Sequence, residues 1–382
     1  MEGLYQITGL QCFLITVALT HVTIIAVTLY LHRAMSHRAI DIHPGLAHVF
    51  RLWLWLSTGM KTKEWVAVHR KHHAEVDREA DPHSPVVHGV WHVLFLGVWL
   101  YRKEAKQQET LEKFGHGCPD DWLERNVYHH WNIGVLVMLA IDLFLWGNKG
   151  VLIWAVQMLW IPLTAAGVIN GIGHAFGYRN YEPMDASRNI VPWGIVIGGE
   201  ELHNNHHAYP RSAKLSSRRF EFDLGYVYIK CLSYLGLAKV RYIMPQLNET
   251  RGGLKELLNA RMVICREYST QVMRQALKDS QLYQRFGSVL KTDRLKGLIL
   301  RNPGLLKSEE RVTLDIALSL DLQLSKVYEF KTRLYAIFYE KGKSDRMQEI
   351  RQWCQQAHAS QEEVLTRFAS WIEERFVVSE VS

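Results

Sequence analysis

Long apolar runs crowd the first half of the chain, and charged residues at helical spacing fill the remainder. The first run, about residues 7–31, carries no Lys or Arg. At about 1.5 Å per residue it is long enough to cross a hydrocarbon core of ~30 Å. A second pair of runs, 133–146 and 151–169, is split only by Gly147-Asn148-Lys149-Gly150, which predicts a membrane hairpin. Asp142 lies inside its first arm and is expected to face protein rather than lipid. Two shorter stretches, 46–60 and 86–101, are rich in Trp and broken by His or Arg, which suits helices lying in the membrane interface. From about residue 240 the texture is that of amphipathic helices. Val327, Phe330, Leu334, Ile337 and Phe338 share one face, and Val364, Phe368, Trp371 and Ile372 share another. Ser360 and Glu363 have the spacing of a capping box before the second set. The pattern predicts an all-α chain, with an integral membrane helical bundle over residues 1–240 and a soluble helical extension over 241–382.

Charge sets the orientation of the bundle. No Lys or Arg precedes the first run, and the hairpin link has only Lys149. Between them lie Arg33, Arg38, Lys61, Lys63, Arg70, Lys71, Arg102 and Lys103. Basic residues mark the cytoplasmic side, so that loop and everything after residue 169 are expected inside, with three spans and the N-terminus outside. A formal net charge of +7 in 382 residues is mild, and the basic residues flank apolar segments instead of forming a dense tract. This argues against a nucleic-acid partner. The five cysteines are odd in number and show no CxxC pairing, which argues against a disulfide framework or a thiolate metal site. The N-terminus lacks the basic region of a cleavable signal peptide.

Against this background three histidine clusters carry the chemistry: His32-Arg-Ala-Met-Ser-His37, His69-Arg-Lys-His72-His73 and His203-Asn-Asn-His206-His207. On a helix, residues three or four apart share a face, so each H-x-x-H-H cluster aims three imidazoles at one point. The first cluster is spaced by five, which on a continuous α-helix separates its members by ~140° and calls for a helix end between them. All three clusters fall on the side that charge asymmetry makes cytoplasmic. Eight imidazoles converging on one place suit Fe, Cu or Zn and exceed what one tetrahedral ion can use, so two metals are the natural expectation. The remaining histidines, His83 among them, read as core or surface residues.

In this order and with these intervals, HRxxxH, HRxHH and HNxHH resemble the membrane fatty acid desaturase family, in its delta-9 branch and its bacterial type. The resemblance covers about residues 5–240. Asn170-Gly-Ile-Gly-His174 is similar to the Asn-x-x-x-His that the branch places at the end of its last span. By resemblance His174 is a ninth iron ligand and Asn170 holds a metal-bound water. Asp81-Pro82-His83 and Gly199-Glu200 also match, and Asp81 and Glu200 are candidate acceptors for the second ring nitrogen of liganded histidines. Trp65, four residues before His69, matches a family tryptophan and is a candidate for the wall of an acyl tunnel.

The resemblance implies two Fe ions in a cytoplasmic cap. It also implies O2, a saturated fatty acyl substrate, and a cis double bond as product. Two electrons per turnover would come from a separate donor: a ferredoxin, a cytochrome b5-like protein or an NAD(P)H reductase. The setting would be a multi-pass protein of the bacterial inner membrane, surrounded by membrane lipid. Ala67 and Val68 stand where animal acyl-CoA members carry an Arg-Asp pair that helps hold CoA, so acyl-CoA and phospholipid both remain open as carriers. Two other readings stay in view. The same scaffold serves hydroxylases of carotenoids, sterols or alkanes, and a metal transporter or sensor would also need clustered histidines. A transporter would place its ligands at mid-membrane depth, whereas here they sit at the ends of the apolar runs.

Overall fold

The computed structural model of the chain describes residues 2–245, 251–280, 292–340 and 345–377. Two compact units account for them: Met1–Asn180 with Ala186–Met244, and Tyr181–Asp185 with Pro245–Ser382.

The first unit opens with α1, Gly9–Ile25, started by a capping box in which Thr8 accepts from the Gln11 amide and Gln11 accepts from the Thr8 amide. Within it the Thr16, Thr20 and Thr23 hydroxyls donate back to carbonyls four residues earlier, so polar side chains are satisfied inside the helix. Without a break α1 continues as a π-helix over Ala26–Ser36. The sequence called for a helix end between His32 and His37, and this expectation is corrected. The π-helix bonds each amide to the carbonyl five residues back, as His37 N does to His32 O at 3.1 Å, which brings residues five apart onto one face.

Next come α2, Pro44–Thr58, and α3, Thr62–Glu75. Helix α4, Val90–Glu104, leaves Trp91, Phe95 and Trp99 exposed along one side. The hairpin is α5, Trp131–Trp146, and α6, Asn148–Ile161, which runs on as a second π-helix over Pro162–Ile172. The link is shorter than the sequence suggested, since Gly147 caps both arms. Gly150 lets the arms close, because a Cβ there would lie 1.9 Å from the Asp142 carbonyl. Asp142 is buried and accepts a hydrogen bond from Gln157 Nε2 at 2.9 Å. Gly97 of α4 packs as tightly on the second π-helix, where a Cβ would lie 2.3 Å from the Ala166 carbonyl. Among the described residues two helices are long and apolar enough to cross a bilayer, Gly9–Ser36 and Asn148–Ile172, and a third apolar helix, Trp131–Trp146, is shorter.

Beyond the hairpin lie α7, His203–Ala208, and α8, Leu224–Tyr234. Among the described residues the chain is mostly helical, but four short strands interrupt it: β1 (Ile40–Ile42), β2 (Trp193–Gly194), β3 (Phe222–Asp223) and β4 (Ala238–Val240). β1 pairs antiparallel with β4, and β2 pairs parallel with β3. These are connecting segments with buried members such as Ile40 and Asp223, and their backbone groups need partners where water is excluded.

The second unit is a helical cluster. Its elements are α9 (Leu254–Glu267, extended by a π-helix over Tyr268–Met273), α10 (Thr292–Leu300), α11 (Ser308–Ser319), α12 (Leu322–Tyr339), α13 (Arg346–Ala359) and α14 (Glu363–Ile372). Its core is built on Tyr268, Trp353 and Phe368, with the Val327–Phe338 stripe of α12 fully turned inward. The capping box at Ser360 does not form. Gln361 takes a positive φ of 62° that separates two helices, and the Ser360 hydroxyl closes α13 by donating to Ala357 O at 2.6 Å. Helix α14 starts three residues later, and its N-cap Glu362 makes no side-chain cap.

Candidate metal centre

Four pieces of helix in the first unit deliver the histidines. The first π-helix carries His32 and ends on His37; α3 presents His69, His72 and His73; α7 presents His203, His206 and His207. The second π-helix carries Asn170 and leads into His174.

These nine imidazoles sort into two groups. The ligand nitrogens of His32, His37, His69, His73 and His206 all lie within 4.8 Å of one another, and so do those of His72, His174, His203 and His207. Contacts between facing Nε2 atoms are 3.1 Å for His32–His206, 2.8 Å for His37–His69, 2.9 Å for His73–His206 and 3.0 Å for His174–His203. Such separations match ligand atoms placed about 2.1 Å from a shared ion. A neutral imidazole has one N–H, so inward-facing rings cannot satisfy one another around a closed ring of five; a cation at the centre can. His72 Nε2 and His206 Nδ1 are buried without a hydrogen-bond partner among the described residues.

Burial, reinforced by the neighbouring rings, holds His69, His73, His203, His206 and His207 well below the ordinary imidazole range. They are therefore neutral at neutral pH, the form that ligates metal. The donor set is all nitrogen and suits two intermediate transition ions.

Carboxylates hold the outer nitrogens. Asp81 accepts from His72 Nδ1 at 2.9 and 3.0 Å, and Glu200 lies 2.9 Å from His32 Nδ1. Thr28 Oγ1 donates to the same Glu200 oxygen at 2.5 Å. Burial alone would raise both carboxyls, but the facing imidazoles outweigh it and hold them below the usual carboxylate range. Sequence reasoning missed Asp77, which accepts from His174 Nδ1 at 3.1 Å and also from Ser84 Oγ and the Ala186 amide. Its only signal is a third acid in the loop after the second cluster. It also missed Arg33, buried and bonded to both Asp223 oxygens and to the carbonyls of Ala213 and Gly198, which ties the first cluster to the loops around it. His83, read as an isolated histidine, stacks on His72 at 4.5 Å and lies with Asp81 against the second group.

A cavity of about 330 Å³ reaches the centre. His32, His69, His203 and Asn170 line one part, and Val135, Trp154 and Met158 of the hairpin line another. Trp65 is in its wall, stacked on His69 at 4.9 Å with the planes 13° apart. Val68 also faces the cavity, and Ala67 beside it is fully buried.

Comparison with known proteins adds an independent line. Residues 8–217 match the family described as fatty acid desaturase, and residues 259–377 match a transposase family. The second match is shorter and lies outside the histidine clusters. The chain is 32% identical over 223 residues to the sn-1 stearoyl-lipid 9-desaturase of Synechocystis, covering 58% of this chain and 69% of that one. It is 30% identical over 234 residues to the sn-2 palmitoyl-lipid 9-desaturase of Nostoc, covering 60% and 80%. With the delta-9 acyl-lipid desaturase 1 of Arabidopsis thaliana it shares 28% over 218 residues, covering 56% and 70%.

Proposed function

The chain belongs to the fatty acid desaturase family and is an acyl desaturase; from that premise we propose that it places a cis double bond at the ninth carbon of a saturated acyl chain already esterified in a membrane lipid. The observation that carries this reading is the pair of histidine groups at the wall of an apolar cavity. Two features favour lipid over CoA as the carrier. The relatives are named stearoyl-lipid, palmitoyl-lipid and acyl-lipid desaturases. Ala67 and Val68 put apolar side chains, packed away from water, where a charged pair would meet a CoA head group.

His32, His37, His69, His73 and His206 would hold one iron, and His72, His174, His203 and His207 the other, with Asn170 reaching it through a water. When bound, the two irons supply the redox chemistry that an unactivated C–H bond demands, consuming O2 and two electrons. The chain's own groups bind and aim. Asp77, Asp81 and Glu200 fix which nitrogen of His174, His72 and His32 carries the proton, and so leave the other free to ligate. Trp65 and the cavity wall keep water out and hold one carbon pair in register. The electrons come from a separate protein.

The protein is membrane-associated. The three apolar helices cross the bacterial plasma membrane with the histidine groups cytoplasmic and the N-terminus outside, and residues 241–382 form an accessory helical extension. The test is to supply isolated membranes with isotope-labelled saturated phospholipid or labelled acyl-CoA, together with O2 and a reducing system. A labelled monoene appearing directly in phospholipid supports the reading. Conversion of acyl-CoA alone removes the proposed carrier, and an added oxygen without a double bond removes desaturation.

A further inference from the structure

Between Ile190 and Val240 the first unit has a one-sided surface. Its four acidic residues, Glu200, Glu201, Glu221 and Asp223, are 8%, 4%, 8% and 4% exposed. All turn inward: Glu200 to His32, Asp223 to Arg33, Glu201 to the Ile197 and Gly199 amides, and Glu221 to Tyr178 and Asn205. Its exposed charges are all cationic: Arg211, Arg219, Lys230 and Lys239. Among these cations large apolar side chains stand in the open. Trp193 and Val196 are 62% and 58% exposed, Phe220 and Phe222 are 62% and 41%, and Tyr234 is 92%. Trp193 and Phe222 are register partners on β2 and β3, so they form one ledge and not scattered exceptions. Contiguous exposed apolar surface of this kind marks an interaction site.

The position of the ledge identifies what covers it. Tyr228 of α8 shares a 2.6 Å hydrogen bond with His21, in the apolar helix Gly9–Ser36. Gly198, at the end of the turn that carries Val196, packs against Ile24 and Thr28 of the same helix. That helix shows Leu10, Phe13, Leu14 and Val17 outward. The ledge therefore continues the apolar face that the helix offers to lipid, and Arg211, Arg219, Lys230 and Lys239 are exposed in the same segment, while Asp41, opposite Lys239 in the β1–β4 ladder, is paired with Arg241. Exposed apolar side chains interspersed with Lys and Arg fit an anionic lipid leaflet.

We propose that the face formed by the Trp193–Val196 turn, Phe222 and α8 is a membrane-docking surface for the anionic cytoplasmic leaflet. This rests on the membrane topology proposed above. It deepens the functional reading, because Ile197, next to Val196, lines the cavity. The docked face brings a wall of the acyl cavity against lipid, where a phospholipid substrate resides.

The test uses the full chain with Cys118→Ser, in nanodiscs of phosphatidylethanolamine and phosphatidylglycerol. A nitroxide is attached to native Cys231, which is exposed on α8 between Val227 and Tyr234. A second sample carries it at Val196→Cys in a Cys231→Ser background. A third carries it at Arg78→Cys in the same background, a side chain 72% exposed, as the aqueous reference. The expected result is that labels at 196 and 231 relax with dissolved O2 and are shielded several-fold from a water-soluble nickel chelate, while the label at 78 is not. Nickel access at 196 and 231 equal to that at 78 would overturn the proposal. So would shielding that arises only when an acidic electron-transfer protein is added, which would make the face a protein-docking site. The measurement needs neither iron nor turnover, so its failure is distinct from failure of the desaturase reading.

Discussion

His37 donates its backbone N–H to the carbonyl of His32 at 3.1 Å, and the two imidazoles, five residues apart, come to 4.8 Å between ring centres. The widened turn is what lets one helix end supply two members of a single five-histidine group. His37→Ala removes one ligand and leaves the four-histidine group intact. Protein purified with this change keeps four histidines in the five-histidine group and is expected to hold that iron more weakly, releasing it at lower chelator concentration than the parent, and to lose turnover. Elemental analysis by mass spectrometry across a chelator titration reads the iron-to-chain ratio, and a titration identical to the parent's would place His37 outside the metal shell.

Asp77 fixes the ring of His174 from outside, at 3.1 Å. Loss of such an outer carboxylate costs metal affinity roughly 10–100-fold. Asp77→Ala should therefore release iron from the His72–His174–His203–His207 group at about that much lower chelator concentration, with far-UV circular dichroism unchanged. An unaltered chelator titration would reduce Asp77 to a loop anchor for Ser84 and Ala186.

The histidine clusters were legible because three imidazoles at helical spacing leave a pattern that composition alone does not produce. Asp81 and Glu200 were legible through the stretches that resemble the family. Asp77 was not, because its partner His174 lies 97 residues away and only the fold brings them together. The π-helix was equally hidden: nothing in Ala26–Ser36 distinguishes i+5 from i+4 bonding, and a helix end was the simpler way to align His32 with His37. Apolar length announced the long helices. The short strands did not show, since pairs such as Trp193 with Phe222 depend on contacts between distant loops. Ser360 misled for a local reason. A capping-box spacing fits either side of a helix junction, and the positive φ at Gln361 decided which helix the hydroxyl serves.

Gly97 meets the Ala166 carbonyl with no room for a side chain, and Ala166 and Val98 both line the cavity. Gly97→Val is expected to push α4 from the second π-helix, at a cost of about 1–3 kcal/mol. Thermal unfolding in detergent should shift downward, and iron content of the surviving protein should stay near that of the parent. An unchanged melting temperature would mean that the two helices have slack that the close approach does not suggest.

Lys331 is fully buried in the second unit, where its ammonium donates to the carbonyls of Ile299 and Arg301 at 2.6 and 2.5 Å. Burial lowers it from the ordinary 10.5 to about 7, with Glu182 and Cys265 partly opposing. Below pH 7 folded and unfolded chains are both protonated, and the penalty for burying the charge is constant. Between about 7 and 10.5 the unfolded chain binds a proton that the folded chain does not, so stability rises with pH. The slope from this group is at most about 1.4 kcal/mol per pH unit. Denaturant unfolding of the second unit between pH 7 and 10 should show that rise, and Lys331→Met should flatten it. Equal slopes in the two proteins would contradict a lowered Lys331.

Desaturation requires the two histidine groups to act as one centre. The most direct measurement expresses the chain, and separately its His72→Ala variant, in a bacterium whose membrane lacks unsaturated lipid, and reads fatty-acid methyl esters by mass spectrometry. A cis double bond between the ninth and tenth carbons with the parent chain, absent with His72→Ala, is the predicted result. No new double bond with the parent chain, or an equal yield from the variant, would contradict it.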